Sequence, residues 1–499
     1  MSLAPSTPVA STQLAVPDIA RPSVDFPPGI LLEDVFLKYD PESLEISDDV
    51  KQQAQILKKA VEKMFQSSIN QSITQKLNFI GLLQCLGISY HFQQEINHTL
   101  KQIYNTFTKE NIIGEVGDLH SHALLFRLLR QKGYQISSGI FNRFKNEQGN
   151  FNETLTSDIQ GLCSLYEASH LRTHGDDIME EACDFSSTQL KSLANQLSAS
   201  LVAQINHCLR QPINKSVPRF EAKYHISIYE QDSSYNESLL AFAKIDFNIL
   251  QNLHLKEICN ISKWNIKPIE SLPHCMQEVF NAIVELCDEI ESTTTESGKS
   301  SFVVPHFKQA VFNQVKGYMV EAKWCHEGYI PTYDEYKING ILTSCFPLFI
   351  TSFVGLGEFA TEDVLNWISS DPTIIKVVSV IGRVLDDMAS HKFEQQRVHV
   401  ASAVECCMKQ YGISQAEAYC FIHNDVEECW KIINEECIKL NDIPKSVIEC
   451  IVNLARMSEV SYENHQDKYT NSELLKDYIY SLFLDPMHVP QPTPAGEDI

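Results

Sequence analysis

Asp371 to Glu394 reads D-P-T-I-I-K-V-V-S-V-I-G-R-V-L-D-D-M-A-S-H-K-F-E, and its spacing decides the fold. Ile374, Ile375, Val377, Val378, Ile381, Val384 and Leu385 recur at three- and four-residue steps, the pattern of a helix with a broad buried face. Asp371 predicts the N-cap and Pro372 the first helical position. Apolar residues continue past the stretch to Tyr411, where Gly412 is a stop signal. S-Q-A-E at Ser414–Glu417 then reads as the capping box of a following helix.

Working outward, the same periodicity fills most of the chain. Leu57, Val61, Met64 and Phe65 are one example, and Met276, Val279, Phe280, Ile283, Val284, Cys287 and Ile290 are another. No strand-like alternation is sustained. Only 19 Gly and 20 Pro occur in 499 residues, which favours long uninterrupted helices over a turn-rich β architecture. The expected fold is all-α, in two helical domains. Pro212 and Pro218 mark a boundary near residue 220, giving units at 31–220 and 221–485. Residues 1–30 are rich in Pro, Ser and Ala and are expected to be flexible. Residues 486–499 form a Pro-rich tail expected to be loose, and Thr293–Ser301 is a polar loop.

Charge and cysteine usage exclude several classes of function. Forty Lys and Arg against 64 Asp and Glu give a net charge of −24, which argues against nucleic acid or an anionic membrane as partner. An anionic ligand held through a divalent cation stays compatible, because the ion inverts the local charge. The 15 cysteines are odd in number and contain no C-x-x-C pair, so reduced thiols are expected. Residues 1–20 carry neither Arg or Lys nor an apolar core, matching no secretory or transit leader. No run approaches the length of apolar sequence a membrane span needs. A soluble, cytoplasmic protein is the expectation.

The chemistry-bearing part of the opening stretch is Asp386, Ser390 and Glu394. At about 100° per residue, steps of four drift by only about 40°, so the three oxygens line one strip of helix surface. A hard cation such as Mg²⁺ takes one or two carboxylates, waters and substrate phosphates, which this set suits. The competing reading is a solvated acidic face, and the pattern alone favours it; the apolar flanks on both sides point instead to a pocket wall. Other motifs carry less. Gly298-Lys299-Ser300 lacks the upstream glycine and strand of a phosphate loop, and His170 and His174 lack the Glu of a metalloprotease helix. Asp176 and Asp177 after Gly175 read as helix-start residues, and Asp288-Glu289-Ile290-Glu291 as an acidic helix end.

The whole set resembles plant class I terpene synthases, most closely the cytosolic sesquiterpene (cadinene-synthase-like) group. The residues that carry the resemblance are R-P-S-V-D-F-P-P from Arg21, D-L-H-S-H-A-L-L-F-R-L-L-R-Q-K-G-Y from Asp118 and L-Y-E-A-S-H-L-R-T-H-G from Leu165. In the second half they are L-L-A-F-A-K-I-D-F-N-I-L-Q from Leu239, the Asp386 motif, and V-E-C-C-M-K-Q-Y-G-I-S from Val404. The resemblance implies a relict N-terminal α-barrel, a C-terminal class I bundle, and Mg²⁺-triggered ionisation of farnesyl diphosphate, with Mn²⁺ as an alternative ion. Asp386, Ser390 and Glu394 would be metal ligands and Arg383 the diphosphate contact. Tyr462 and Asp467 would handle protons late in the reaction. Thr343-Ser344-Cys345 would be a helix break whose carbonyls face a carbocation. The family is generally monomeric.

One element of that pattern is missing. The family carries an aspartate-rich D-D-x-x-D helix after an R-x-R segment, between two tryptophans. Here I-S-K-W (Ile261–Trp264) runs straight into N-I-K-P-I-E-S-L-P (Asn265–Pro273), so an in-frame deletion is expected near 264–265. The bundle would then be incomplete, with the metal clamp one-sided and apolar surface bared. A tryptophan expected after the R-P segment is also replaced, by Ile30-Leu31-Leu32. Three functions therefore compete: a sesquiterpene synthase impaired by the deletion, a non-catalytic helical protein that binds a prenyl diphosphate or a protein partner, and a monoterpene synthase that has lost its leader.

Overall fold

The computed structural model describes residues 44–67, 71–110, 117–193, 197–261, 274–396 and 399–489. Among these the regular structure is helical, with one isolated bridge between Lys145 and Phe151. The Lys263–Pro268 junction, residues 1–30 and Ile30–Leu32 lie outside the described residues.

The first unit contains α1 (Asp48–Ser67), α2 (Ile73–Cys85), α3 (Gln93–Glu110), α4 (Leu119–Gln131), α5 (Ile159–Ser169), α6 (Asp177–Leu193) and α7 (Ala199–Arg210). Two further helices, α8 (Pro218–Gln231) and α9 (Glu237–Ile261), follow residue 220. Pro218 opens α8, where its missing N–H costs nothing. Ile226 of α8 and Leu239, Phe242 and Phe247 of α9 bury into the same core as Leu77, Ile80, Leu125 and Phe126. Hydrophobic packing thus carries the first unit's core well beyond the two prolines.

The second core gathers α10 (His274–Glu296), α11 (Ser300–Glu327), α12 (Tyr333–Thr343), α13 (Phe346–Leu356) and α14 (Glu362–Ser369). It continues with α15 (Thr373–Glu394), α16 (Ala403–Tyr411), α17 (Gln415–Lys439) and α18 (Lys445–Ser461). All seven apolar residues read from the opening stretch are buried on α15. The α17 capping box forms as expected, Ser414 and Glu417 satisfying each other's backbone N–H, and Gly412 ends α16 at φ 66°.

Three local expectations change. Asp371 does not cap α15: it sits at φ 56°, a region Asp tolerates better than most residues, and Pro372 at ψ 150° is the residue flanking the helix. The polar loop is shorter than Thr293–Ser301, because α10 runs on to Glu296 and α11 starts at Ser300. The tail is not loose at its start, where Met487 and Asn248 exchange hydrogen bonds of 2.8 and 3.0 Å. The α12–α13 stretch, Tyr333–Leu356, is long and apolar enough to cross a membrane by length and composition. Its break at Cys345 (φ 65°) and the burial of Tyr333, Tyr336 and Ile350 in the second core mark it as a bundle pair.

A polar seam joins the two units. Arg172 meets Glu427 at 3.0 Å, Lys215 pairs with the same carboxylate, and Asn434 donates to the His170 and Arg172 carbonyls at 3.0 and 2.9 Å. His174 lies between Glu428 and Glu435 at 2.8 and 2.7 Å, so it serves the seam and not a metal.

Candidate active site

Glycines set the depth at which α15 meets its neighbours. A Cβ on Gly382 would lie 2.5 Å from the Phe346 ring, and one on Gly340 would lie 3.0 Å from Arg383 Cγ. The α12–α13 break therefore seats directly against the middle of α15. Cys345 occupies the left-handed backbone region there, and its thiol is 3.3 Å from the Tyr318 hydroxyl of α11.

From that contact the site builds outward through Arg383. Its guanidinium pairs with Asp386 and reaches Asp387 at 2.9 Å through Nε and 2.6 Å through Nη2. Asp387 is buried and fully engaged: it also accepts from the Tyr336 hydroxyl at 2.6 Å and from the Ala403 N–H at 2.8 Å. It thus ties α15 to α12 and to the start of α16. Burial works against the Arg383 charge, but Asp387, Tyr336, Asp386 and Glu321 outweigh it and hold the group protonated. Glu321 comes from α11 across the groove, where the Thr343 hydroxyl donates to it at 2.5 Å.

The structure brings most of the expected residues together. Tyr462, just past the end of α18, and Asp467 are both close enough to act on the Asp386 carboxylate. Burial pushes Asp386 up to about 6; Asp387 and Asp467 add to the push, against Arg383 and Tyr462. Burial likewise raises Glu394 to about 7, with Asp387 and Asp386 contributing. Ser390 Oγ, one turn from each, is buried without a hydrogen-bond partner. Two carboxylates raised by burial beside an orphaned hydroxyl fit a hard divalent cation, which would be held by Asp386, Ser390 and Glu394. When bound, such an ion would supply positive charge to a diphosphate.

No second acidic set among the described residues faces this strip. Asp176 lies in the first unit, paired with Arg130 at 3.0 Å, and its carboxylate accepts from Thr173 instead of capping α6. Asp288 and Glu291 line an open surface hollow on α10 with Ser292, Thr295 and Glu296. α11 and α13 run antiparallel, with Val303 against Gly355 and Tyr318 against Cys345. That register brings Phe312 and Phe349 to one level. Phe312, Val315 and Met319 on α11 and Phe349, Phe353 and Leu356 on α13 form two exposed apolar stripes. The Phe349 and Phe353 rings stack at 6.0 Å.

Sequence reasoning missed the roles of Asp387, Tyr336 and Glu321. The only signal for Asp387 was its place in the D-D pair, about 100° round the helix from Asp386 and so on the buried side. Tyr336 and Glu321 come from other helices and left no local pattern.

Comparison with known proteins completes the picture. Residues 31–209 match the terpene synthase N-terminal domain, and residues 255–432 match the terpene synthase family metal-binding domain. A probable terpene synthase 2 from Ricinus communis is 38% identical over 94% of this chain and 98% of its own length. A (-)-germacrene D synthase from Vitis vinifera is 36% identical over 95% and 97%. The Ricinus alignment spans 545 positions against the 499 residues of this chain, so at least 46 of them face no residue here. Among solved structures, isoprene synthase from grey poplar leaves, in complex with three Mg²⁺ ions and dimethylallyl-S-thiolodiphosphate, superposes with a TM-score of 0.79 at 25% identity. That match covers 90% of this chain and 99% of the poplar one. Limonene synthase with 2-fluorolinalyl diphosphate gives the same TM-score and identity, over 90% and 98%. With both domains matched in order across the same two helical units, the chain belongs to the terpene synthase family.

Proposed function

We propose that this chain is a sesquiterpene synthase by descent, with farnesyl diphosphate as substrate and Mg²⁺ or Mn²⁺ as its ion, whose ionising power is strongly reduced. The observation that carries this reading is the asymmetry of the site. The α15 strip is complete, with Arg383 and Tyr462 in place, while the apolar faces of α11 and α13 lie open and no D-D-x-x-D occurs in the sequence. Relatives such as the germacrene D synthase and a valencene synthase support the C15 substrate. The poplar complex, with three Mg²⁺ ions, supports the need for more ligands than one strip provides.

In this reading Asp386, Ser390 and Glu394 hold a single ion weakly, and Arg383 orients the diphosphate. Tyr462 and Asp467 take a proton from a late cation, a role supported by their closeness to Asp386. The protein is proposed to act as a cytoplasmic monomer. A second reading, a non-catalytic prenyl-diphosphate binder, is favoured by the two exposed stripes, which offer apolar surface without a closed cavity in which a cation would be shielded from water.

Purified protein incubated with farnesyl diphosphate and Mg²⁺, with volatile products resolved by gas chromatography–mass spectrometry, tests the proposal. Little or no terpene is expected, together with calorimetric binding of the substrate that requires Mg²⁺ and is lost in Asp386→Ala. Turnover at a rate typical of enzymes, abolished by Asp386→Ala, would overturn the impairment. Absence of both product and Mg²⁺-dependent binding would overturn the site.

A further inference from the structure

We propose that His207, Glu221 and His225 form a binding site for a borderline transition-metal ion such as Zn²⁺ in the first unit, separate from the Asp386 strip. Glu221 and His225 are four residues apart on α8, and His207 reaches them from α7, its Nε2 2.9 Å from Glu221 Oε2. His225 Nε2 lies 3.5 Å from the same oxygen, and the three ligand atoms all fall within 4.8 Å of one another.

The His225 spacing suits a metal better than a proton. With Zn–N and Zn–O bonds of about 2.0–2.1 Å, two ligands of a tetrahedral ion sit roughly 3.3 Å apart, and the two measured edges bracket that value. The His225 contact is long for a hydrogen bond, and His225 Nε2 is buried with no hydrogen-bond partner. Glu221 is itself buried. Its second oxygen accepts from the Ser216 hydroxyl at 2.5 Å, which turns Oε2 toward the two imidazoles and fixes the carboxylate's orientation. The His207 ring is held by stacking on Tyr224 at 3.6 Å. Two imidazoles and one carboxylate form a donor set for Zn²⁺ or its first-row neighbours and a poor one for Mg²⁺, which prefers oxygen.

The location gives the site a structural consequence. The turn joining α7 to α8 carries Asn214 and Lys215, which reach the second unit: Arg456 donates to the Asn214 carbonyl at 2.9 Å, and Lys215 pairs with Glu427. An ion across α7 and α8 closes the base of that turn and stiffens the strut between the units.

The test uses the full chain, equilibrated with Zn²⁺ in the presence of excess Mg²⁺, desalted, and assayed by plasma mass spectrometry. One Zn²⁺ per chain is expected, with none retained by His225→Phe. Chelation should lower the unfolding temperature of the parent by several degrees and leave that of the variant unchanged, because an ion bound only by the folded state stabilises it. No retained zinc, or equal zinc in both proteins, overturns the proposal. Should His225→Phe fail to fold, Co²⁺ loaded into the parent decides. A visible spectrum without thiolate-to-cobalt charge transfer supports the His and Glu ligands. A strong thiolate band assigns the ion to cysteines and overturns the site.

Discussion

On one side of the second bundle, α15 carries an apolar face that is fully covered. On the other, α11 and α13 carry faces of similar character that are bare. Ile374, Val378, Ile381 and Val384 are inaccessible, whereas Phe312 is 63% and Met319 66% exposed. Residue type does not explain the contrast; the available partners do. Behind α15 stand α17 and α18, and through them the first unit, while over the exposed stripes of α11 and α13 the described residues place no helix. Relatives of this chain carry at least 46 positions that it lacks. A helix pattern alone therefore says which face seeks burial, and not whether the rest of the chain provides it.

The comparison breaks most severely at Asp387. Asp387→Ala would leave buried Arg383 without one counter-ion, and would leave the Tyr336 hydroxyl and the Ala403 N–H unpaired. A loss of about 3–5 kcal/mol is expected from chemical denaturation, the range for removing one partner of a buried pair. A loss below about 1 kcal/mol would show that the covered side is not anchored there. Next comes packing itself. Ile381→Ala, at a fully buried position on α15, should cost about 2–5 kcal/mol through lost transfer energy and the cavity left behind. Read by the shift in denaturation midpoint, a small change would mean that α15 is loosely packed, and the contrast with α11 would dissolve.

How much of this was legible in the sequence follows from the same distinction. The covered face of α15, the stop at Gly412 and the Ser414 capping box are local patterns, and each formed where its spacing placed it. Asp386, Ser390 and Glu394 share a strip because helix geometry requires it, whereas Tyr462 and Asp467 entered the site only through resemblance to a family, and their closeness to Asp386 left no local pattern. Asp387 could not be told from its neighbour by type, since only Tyr336 on α12 and Ala403 on α16 reveal that it is internal. Pro212 and Pro218 suggested an end to the first unit, whereas Ile226 and Phe242 beyond them join its core, because tertiary packing and not local breakers decides core membership. Asp371 looked like a cap, yet the turn between α14 and α15 places its backbone where the side chain cannot serve the helix.

The smallest expected effect is also the most direct test of the open side. Phe312→Gln and Met319→Gln remove apolar surface that is already in water, so neither transfer energy nor a cavity is at stake. Each should change stability by no more than about 0.5 kcal/mol, as surface substitutions generally do. Both should lower binding of a hydrophobic dye such as ANS, which reports exposed apolar patches. If instead Met319→Gln costs as much as Ile381→Ala, the α11 face is packed against something in solution. Dependence of that cost on protein concentration then separates the candidates. A cost that grows with concentration means that a second copy covers the stripe, because dimer stability follows mass action. A concentration-independent cost means that another part of the same chain does so, and the incomplete bundle has found its own replacement wall.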